Sequence, residues 1–461
     1  MQGQPFLSRR LLLRGASAGF AGLALSGLGG LSARSRAQDA LAPKAPHFEP
    51  RAKRVIFLCM RGAPSHVDTF DYKPELVRDD GKSGRYGSGR LLASPWEFRQ
   101  RGESGLWISD LFPNVGEHAD ELCLLRGMHC DQPNHPQALT QMHTGTFQFV
   151  RPSLGSWVLY GLGTENESVP GFLSINPPTG STQNYGSAFL PAVYQGTKLN
   201  PGRQRRSFRR RRQPDVVPDI RNPRLSDAQQ RAQLDFVQRL NEDKLKRDRK
   251  HPGVEGAIDS LELAYRMQSS MPSLMDLSGE SDETLAMYGV DVDETDTFGR
   301  QCLLARRLVE AGVRFVEITH GNWDHHFRMS TDLPERAREV DLPIAGLLTD
   351  LKRRGLLRDT LVVWGGEFGR TPHAPGGNGR DHNHRGYTTW MAGGGVHGGF
   401  SYGATDEHGY EAVEGKVHIH DWHATILHLL GLDHESLTYP YAGRDFRLTD
   451  VHGRVVRDVL A

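Results

Sequence analysis

The chain has little of what marks several protein classes. Its four cysteines, Cys59, Cys123, Cys130 and Cys302, are scattered over 461 residues without a CxxC pair, which argues against a disulfide scaffold or a zinc-thiolate finger. An excess of one charge is also missing. Lys and Arg number 56 against 55 Asp and Glu, so no global field recruits nucleic acid or an anionic membrane. GASAG (15–19) and GFSYG (399–403) match GxSxG, but neither stands between a strand pattern and a helix pattern, so no nucleophile elbow is read, which argues against the usual α/β-hydrolase. GGGVHGGFSYG, 393–403, lacks the lysine of a phosphate-binding loop and reads as a flexible turn. Beyond the N-terminus, no apolar run approaches membrane-spanning length. What remains is 37% hydrophobic and 24% charged, a globular composition with enough chain for one large or two ordinary domains.

The N-terminus carries Arg9 and Arg10 before a weakly apolar run rich in Ala, Gly and Leu. Ser8-Arg9-Arg10-x-Leu12-Leu13 resembles the twin-arginine consensus, so residues 1–37 are expected to be an export signal read by the twin-arginine translocon. Ser35 and Ala37 suit cleavage after Ala37; the alternative is an uncleaved anchor. The mature protein is then expected in the periplasm or cell envelope, with no stable membrane span. Residues 38–52 read as a linker and 53–461 as a single domain.

Strand and helix patterns alternate along that domain. RVIFLCM (54–60), VPGFLSI (169–175), VRFVEIT (313–319) and DTLVVWG (359–365) read as buried strands. Residues 111–128 read as a loop, an amphipathic helix and a strand-like run. Helices are expected at 155–163, over much of 226–287, at 297–312, at 343–357 and at 421–432, the last capped by Asp421. Between 195 and 224 the pattern collapses, and seven arginines fall within Arg203 to Arg212. That segment reads as a solvated insertion, with an anionic partner as the minority reading. Phe208 is a single aromatic in that run, too little interleaving for nucleic-acid stacking, and no nucleic-acid partner is expected. The alternation predicts an α/β sheet whose site lies at the strand C-terminal ends.

Ligand-type residues collect at those ends. Ser65, His66, Asp68 and Asp71 follow the first strand; His320, Asp324, His325 and His326 follow VRFVEIT; Glu367 follows DTLVVWG; Asp381, His382 and His384 lie in the next loop. Each alone is an ordinary loop residue. In a parallel sheet these loops share one rim, and carboxylates with neutral imidazoles suit zinc, manganese or iron.

SHVDTFD, RPSLGSWVLYGLG, WDHH, GGEFGRTP and GRDHN together resemble the exported proteins of domain of unknown function 1501, relatives of sulfatases in the alkaline-phosphatase-like superfamily. The resemblance runs over the mature chain. It implies a central, mostly parallel sheet sandwiched between helices, with one or two divalent metals at the strand ends. By it, Glu367 stands where a metal-binding aspartate stands, and Phe368 replaces a second ligand. Asp324 with His326 resembles the aspartate-histidine pair, two residues apart rather than four, and His320 restores that spacing in the opposite order. His382 resembles the late histidine ligand, Asp381 precedes it, and Asp68 or His66 serves for the early aspartate, whose place Arg61 takes.

The nucleophile departs from the pattern. Counting back from Thr144-Gly145 reaches His135 and Asn134, neither an ordinary nucleophile, and Cys130 misses the formylglycine motif. A sulfatase mechanism proper is thus disfavoured, leaving metal-activated water, or Thr140 or Ser65. Arg370 is expected either to neutralise charge on an anionic ester substrate or to tie its loop to a carboxylate such as Asp381. The leading expectation is an exported metal-dependent hydrolase of phosphate or sulfate esters. The alternative is a non-catalytic protein on the same fold.

Overall fold

The computed structural model describes residues 40–85, 89–178, 183–200, 224–248 and 252–461. Segment 1–37, expected from the sequence to be an export signal, and the arginine run 203–212 lie outside the described residues. A nine-stranded sheet organises the molecule. In chain order its strands are β1 (Arg54–Met60), β2 (Leu122–His129), β3 (Phe172–Ile175), β4 (Thr197–Leu199), β5 (Phe315–His320), β6 (Thr360–Gly365), β7 (Tyr387–Ala392), β8 (Phe400–Tyr402) and β9 (Val417–His418). They are arranged β8-β2-β7-β6-β1-β5-β3-β4, with β9 also on β2. Only β7 runs antiparallel to its neighbours, so the sheet is mostly parallel.

Both faces are covered, which is why the central strands read as continuous apolar runs. Ile56, Leu58 and Met60 of β1 enter one core, and Val55, Phe57 and Cys59 enter the other. The first core is closed by two helices, Asp296–Glu310 and Met329–Arg353. The second is closed by helices α1 (His135–Thr144), α2 (Leu154–Leu162) and α3 (Ile419–Leu429).

The sequence predicts most of these elements to within a few residues, with three corrections. GGGVHGGFSYG, expected as a flexible turn, holds β8, which pairs in parallel with β2. The helix expected from 343 begins at Met329 and runs through Pro334 and Pro343. Leu333, Ala337, Val340, Ile344, Leu347, Leu348 and Leu351 form one buried stripe along it. At about 1.5–3 kcal/mol per large buried apolar side chain, that stripe outweighs a cost of about 3 kcal/mol for an interior proline. The last correction is α3. His418 rather than Asp421 is its N-cap; Asp421 lies at the third helical position and accepts the His418 N–H, closing a capping box.

Residues 40–52 run along the body: Lys44 N–H donates to the Leu162 carbonyl, and Ala52 N–H to that of Leu429. All four cysteines are buried free thiols. Among the described residues, no helix is long and apolar enough to cross a membrane.

Candidate metal-binding site

The parallel strands β1, β5 and β6 end side by side, and their loops converge. At the end of β1, Gly62 has φ 110°, and a Cβ there would lie 2.8 Å from the backbone nitrogens of Trp323 and Asp324. Only glycine fits, because both the dihedral and the close backbone approach exclude a side chain. Its N–H donates to both carboxylate oxygens of Glu367, at 3.0 and 3.2 Å. Glu367 is buried just beyond β6, and its Oε1 lies 2.6 Å from His135 Nδ1. His135 opens α1, where Pro136 is tolerated because a first-turn N–H has no helical partner.

This pairing gives the two residues roles that their order in the chain does not reveal. Glu367 is expected from sequence as a ligand, yet its oxygens are engaged by Gly62 and His135. It stands behind the imidazole and turns His135 Nε2 outward. That nitrogen is buried, makes no hydrogen bond, and lies 3.2 Å from Asp324 Oδ1. Burial pulls the His135 pKa down, but the neighbouring carboxylates of Asp324 and Glu367 outweigh it and raise the value to about 9.

His382 is oriented in the same manner. Its Nδ1 lies 2.6 Å from the Pro133 carbonyl, which can only accept, so Nδ1 carries the proton and Nε2 presents a lone pair. His382 Nε2 is 2.8 Å from His326 Nε2 and 3.5 Å from Asp324 Oδ1. His326 Nε2 is 3.1 Å from the same oxygen, and its Nδ1 is 3.7 Å from Asp381 Oδ1. Two overlapping groups result, His135–Asp324–His382 and His326–Asp381–His382, each with ligand atoms within 4.8 Å of one another. Phe368 packs against both the His135 and His382 rings, with centroids 4.7 and 4.8 Å away. It supplies an apolar wall rather than a ligand.

Arg370 is buried and fully committed. It donates to Asp324 Oδ1 at 2.6 Å and to the carbonyls of Gly62, Ala63 and Arg380. Of the two roles expected for it, tying a loop to a carboxylate is the one its contacts fill, with Asp324 in place of Asp381. Burial raises the Asp324 pKa, but His135, His382 and Arg370 together hold its carboxyl well below the usual range. Burial depresses His326, with Asp324 opposing.

Three expected ligands are not brought to this group. Asp68 is fully buried in a two-pronged pair with Arg380, at 2.6 and 3.0 Å. His66 directs Nε2 to the Gly409 carbonyl. His320 bridges Glu339 and the Trp323 indole N–H. These contacts come from segments distant in the chain, so residue spacing does not report them. Asn134 is exposed at the N-cap of α1, without a side-chain capping bond.

The fold and site define an α/β protein with a mostly parallel sheet and a histidine-carboxylate cluster at its strand ends. The family model described as Protein of unknown function (DUF1501) matches residues 52–460, and the chain belongs to that family. No curated protein matches it. Similar solved structures include the PsFucS1 sulfatase from Pseudoalteromonas sp., 14% identical, covering 90% of this chain and 72% of that one, with TM-score 0.35. The lipoteichoic acid synthase LtaP from Listeria monocytogenes is 10% identical over 90% and 80%, with TM-score 0.37. The phosphonate monoester hydrolase SpPMH from Silicibacter pomeroyi is 11% identical over 89% and 76%, with TM-score 0.32. All three likenesses are distant.

Proposed function

We propose that the protein is an exported, divalent-metal-dependent hydrolase of sulfate or phosphate esters. The observation that carries this reading is the convergence of outward-turned imidazole nitrogens on Asp324, above all His135 Nε2, buried without a hydrogen bond 3.2 Å from a carboxylate oxygen. The donor set of imidazoles and carboxylates fits zinc, manganese or iron. His135, Asp324, His326, Asp381 and His382 hold the ion, while Glu367 and the Pro133 carbonyl fix the ring tautomers behind them. A bound divalent cation there supplies Lewis-acid polarisation of an ester oxygen and activation of water.

The chain's own residues prepare the rest. Phe368 keeps solvent from one side, and the half-exposed Asp324 and Asp381 mark the open side where an anionic ester enters. No side chain considered from the sequence stands ready as a nucleophile. Ser65 Oγ donates to Asp68, and Thr140 Oγ1 donates to the Pro136 carbonyl. Burial pushes the Cys130 thiol up to about 12, and its Sγ donates to the Glu367 carbonyl. Water is therefore the attacking group in this reading. Residues 1–37, as a twin-arginine signal, would deliver the protein to the periplasm or envelope.

The lack of a side-chain nucleophile also favours a second reading, a non-catalytic metal-binding protein of the envelope. Purified protein loaded with zinc, manganese or iron decides between them, assayed on aryl sulfate, aryl phosphate and phosphonate monoester probes. Turnover that disappears in Asp324→Asn and His382→Gln supports the hydrolase. Metal retained without turnover on any probe supports the second reading, and no metal at the rim sinks both.

A further inference from the structure

Beneath the rim lies a second group that the proposed hydrolysis does not use. Cys59 is on β1, in register with Thr319 of β5 and Gly365 of β6. Glu317 is two residues earlier on β5, and His143 lies in the last turn of α1. All three are buried, and a sulfur, an imidazole nitrogen and a carboxylate oxygen lie within 4.8 Å of one another.

Hydrogen bonding around them is incomplete. His143 Nδ1 is engaged by the Leu139 carbonyl at 2.8 Å, which leaves Nε2 facing Glu317 Oε1 at 3.2 Å without hydrogen-bond geometry. Glu317 Oε1 accepts from Thr319 Oγ1 and Asn184 Nδ2, whereas Oε2 has no partner. Asn184 Oδ1 and Ser174 Oγ are also buried and unpartnered, and Ser174 is paired with Glu317 across β3 and β5. Buried polar atoms are nearly always satisfied, so several orphans in one place call for an occupant.

We propose that Cys59, His143 and Glu317 form a buried cation site of the zinc type, separate from the rim cluster. The 3.2 Å between His143 Nε2 and Glu317 Oε1 suits two ligands of one ion held at about 2.0–2.2 Å by nitrogen and oxygen, with the Cys59 sulfur close enough to complete the set after a small adjustment. A thiolate, a carboxylate and a neutral imidazole also balance a divalent charge, leaving a neutral unit inside an apolar core. Loading releases the Cys59 thiol proton, and any proton on His143, to solvent. All three ligands are inaccessible in the folded chain, so the ion enters during folding. It fastens the C-terminal turn of α1 to β1 and β5, and α1 carries His135 to the rim at its other end.

The test uses the full chain refolded from denaturant with cobalt(II), which absorbs in the near ultraviolet when bound by thiolate. A variant combining Asp324→Asn and His382→Gln disables the rim without touching the buried group. It should retain the thiolate-cobalt absorption and about one equivalent of cobalt after dialysis against chelator, releasing it on unfolding. Cys59→Ala should lose the absorption. An unaltered band in Cys59→Ala, or no band and no retained cobalt in the rim variant, overturns the proposal. Should Cys59→Ala fail to fold, the rim variant alone decides.

Discussion

Two regions of this molecule hold similar donors in opposite surroundings. At the rim, histidines and carboxylates come from loops, Asp324 is half-exposed, and Arg370 meets part of its charge. In the buried group, the donors sit on two central strands and a helix, and several polar atoms lack partners. An ion at the rim is open to exchange and to a substrate; an ion in the core is not. If both proposals hold, the same residue types serve chemistry in one place and anchorage in the other, and the supporting backbone decides which.

The comparison can be broken most forcefully at Asp68. It resembles a ligand in sequence but is a fully buried partner of Arg380. Asp68→Asn should cost about 3–5 kcal/mol in urea unfolding, because it leaves a buried guanidinium uncompensated. Its rim metal content, measured below the unfolding range, should stay at the wild-type level.

Acid probes the core beneath α1. His423 Nε2 bonds the Met142 carbonyl, and burial pushes its pKa down to about 3. Between about pH 3 and the ordinary histidine value near 6.5, the unfolded chain binds the extra proton. Stability should therefore fall as pH drops through that window, by an amount on the order of a few kcal/mol from this group. Denaturant unfolding at stepped pH should show a shallower slope for His423→Gln than for wild type.

At the rim, Asp324→Asn should cost roughly 1.5–3 kcal/mol of stability through its charged hydrogen bond with Arg370, and abolish rim metal. Glu367→Gln should weaken metal binding by about 10–100-fold in a competitive chelator titration, since it acts behind His135. A larger loss, equal to that of Asp324→Asn, would make Glu367 a ligand itself. Phe368→Leu should be mildest, at less than about 1.5 kcal/mol by thermal or denaturant melting, with metal content unchanged.

Legibility in the sequence followed burial. RVIFLCM and DTLVVWG read as strands because both faces of a parallel sheet are covered, which leaves no polar alternation. The sequence pattern shortens the helix from Met329 because proline is a local signal, whereas the stripe that carries it through is a tertiary effect. Histidine and acid density pointed to the rim. It did not separate Asp324, which faces the other donors, from His320, whose nitrogens are taken by Glu339 and Trp323. Cys59, His143 and Glu317 form no motif in the sequence, because they come from three separate elements that only the fold brings together.

The order of strands and helices, and the collection of polar loops after the strands, were determined by the sequence alone, since periodicity and burial are local properties. Tertiary structure decided that Glu367 stands behind His135, because Gly62 comes from another strand end to hold that carboxylate. It also decided that His382 presents Nε2, because the Pro133 carbonyl occupies Nδ1. Hydrogen-bond partners supplied from distant segments leave no trace in spacing, and at this site they set which atom of each side chain is available.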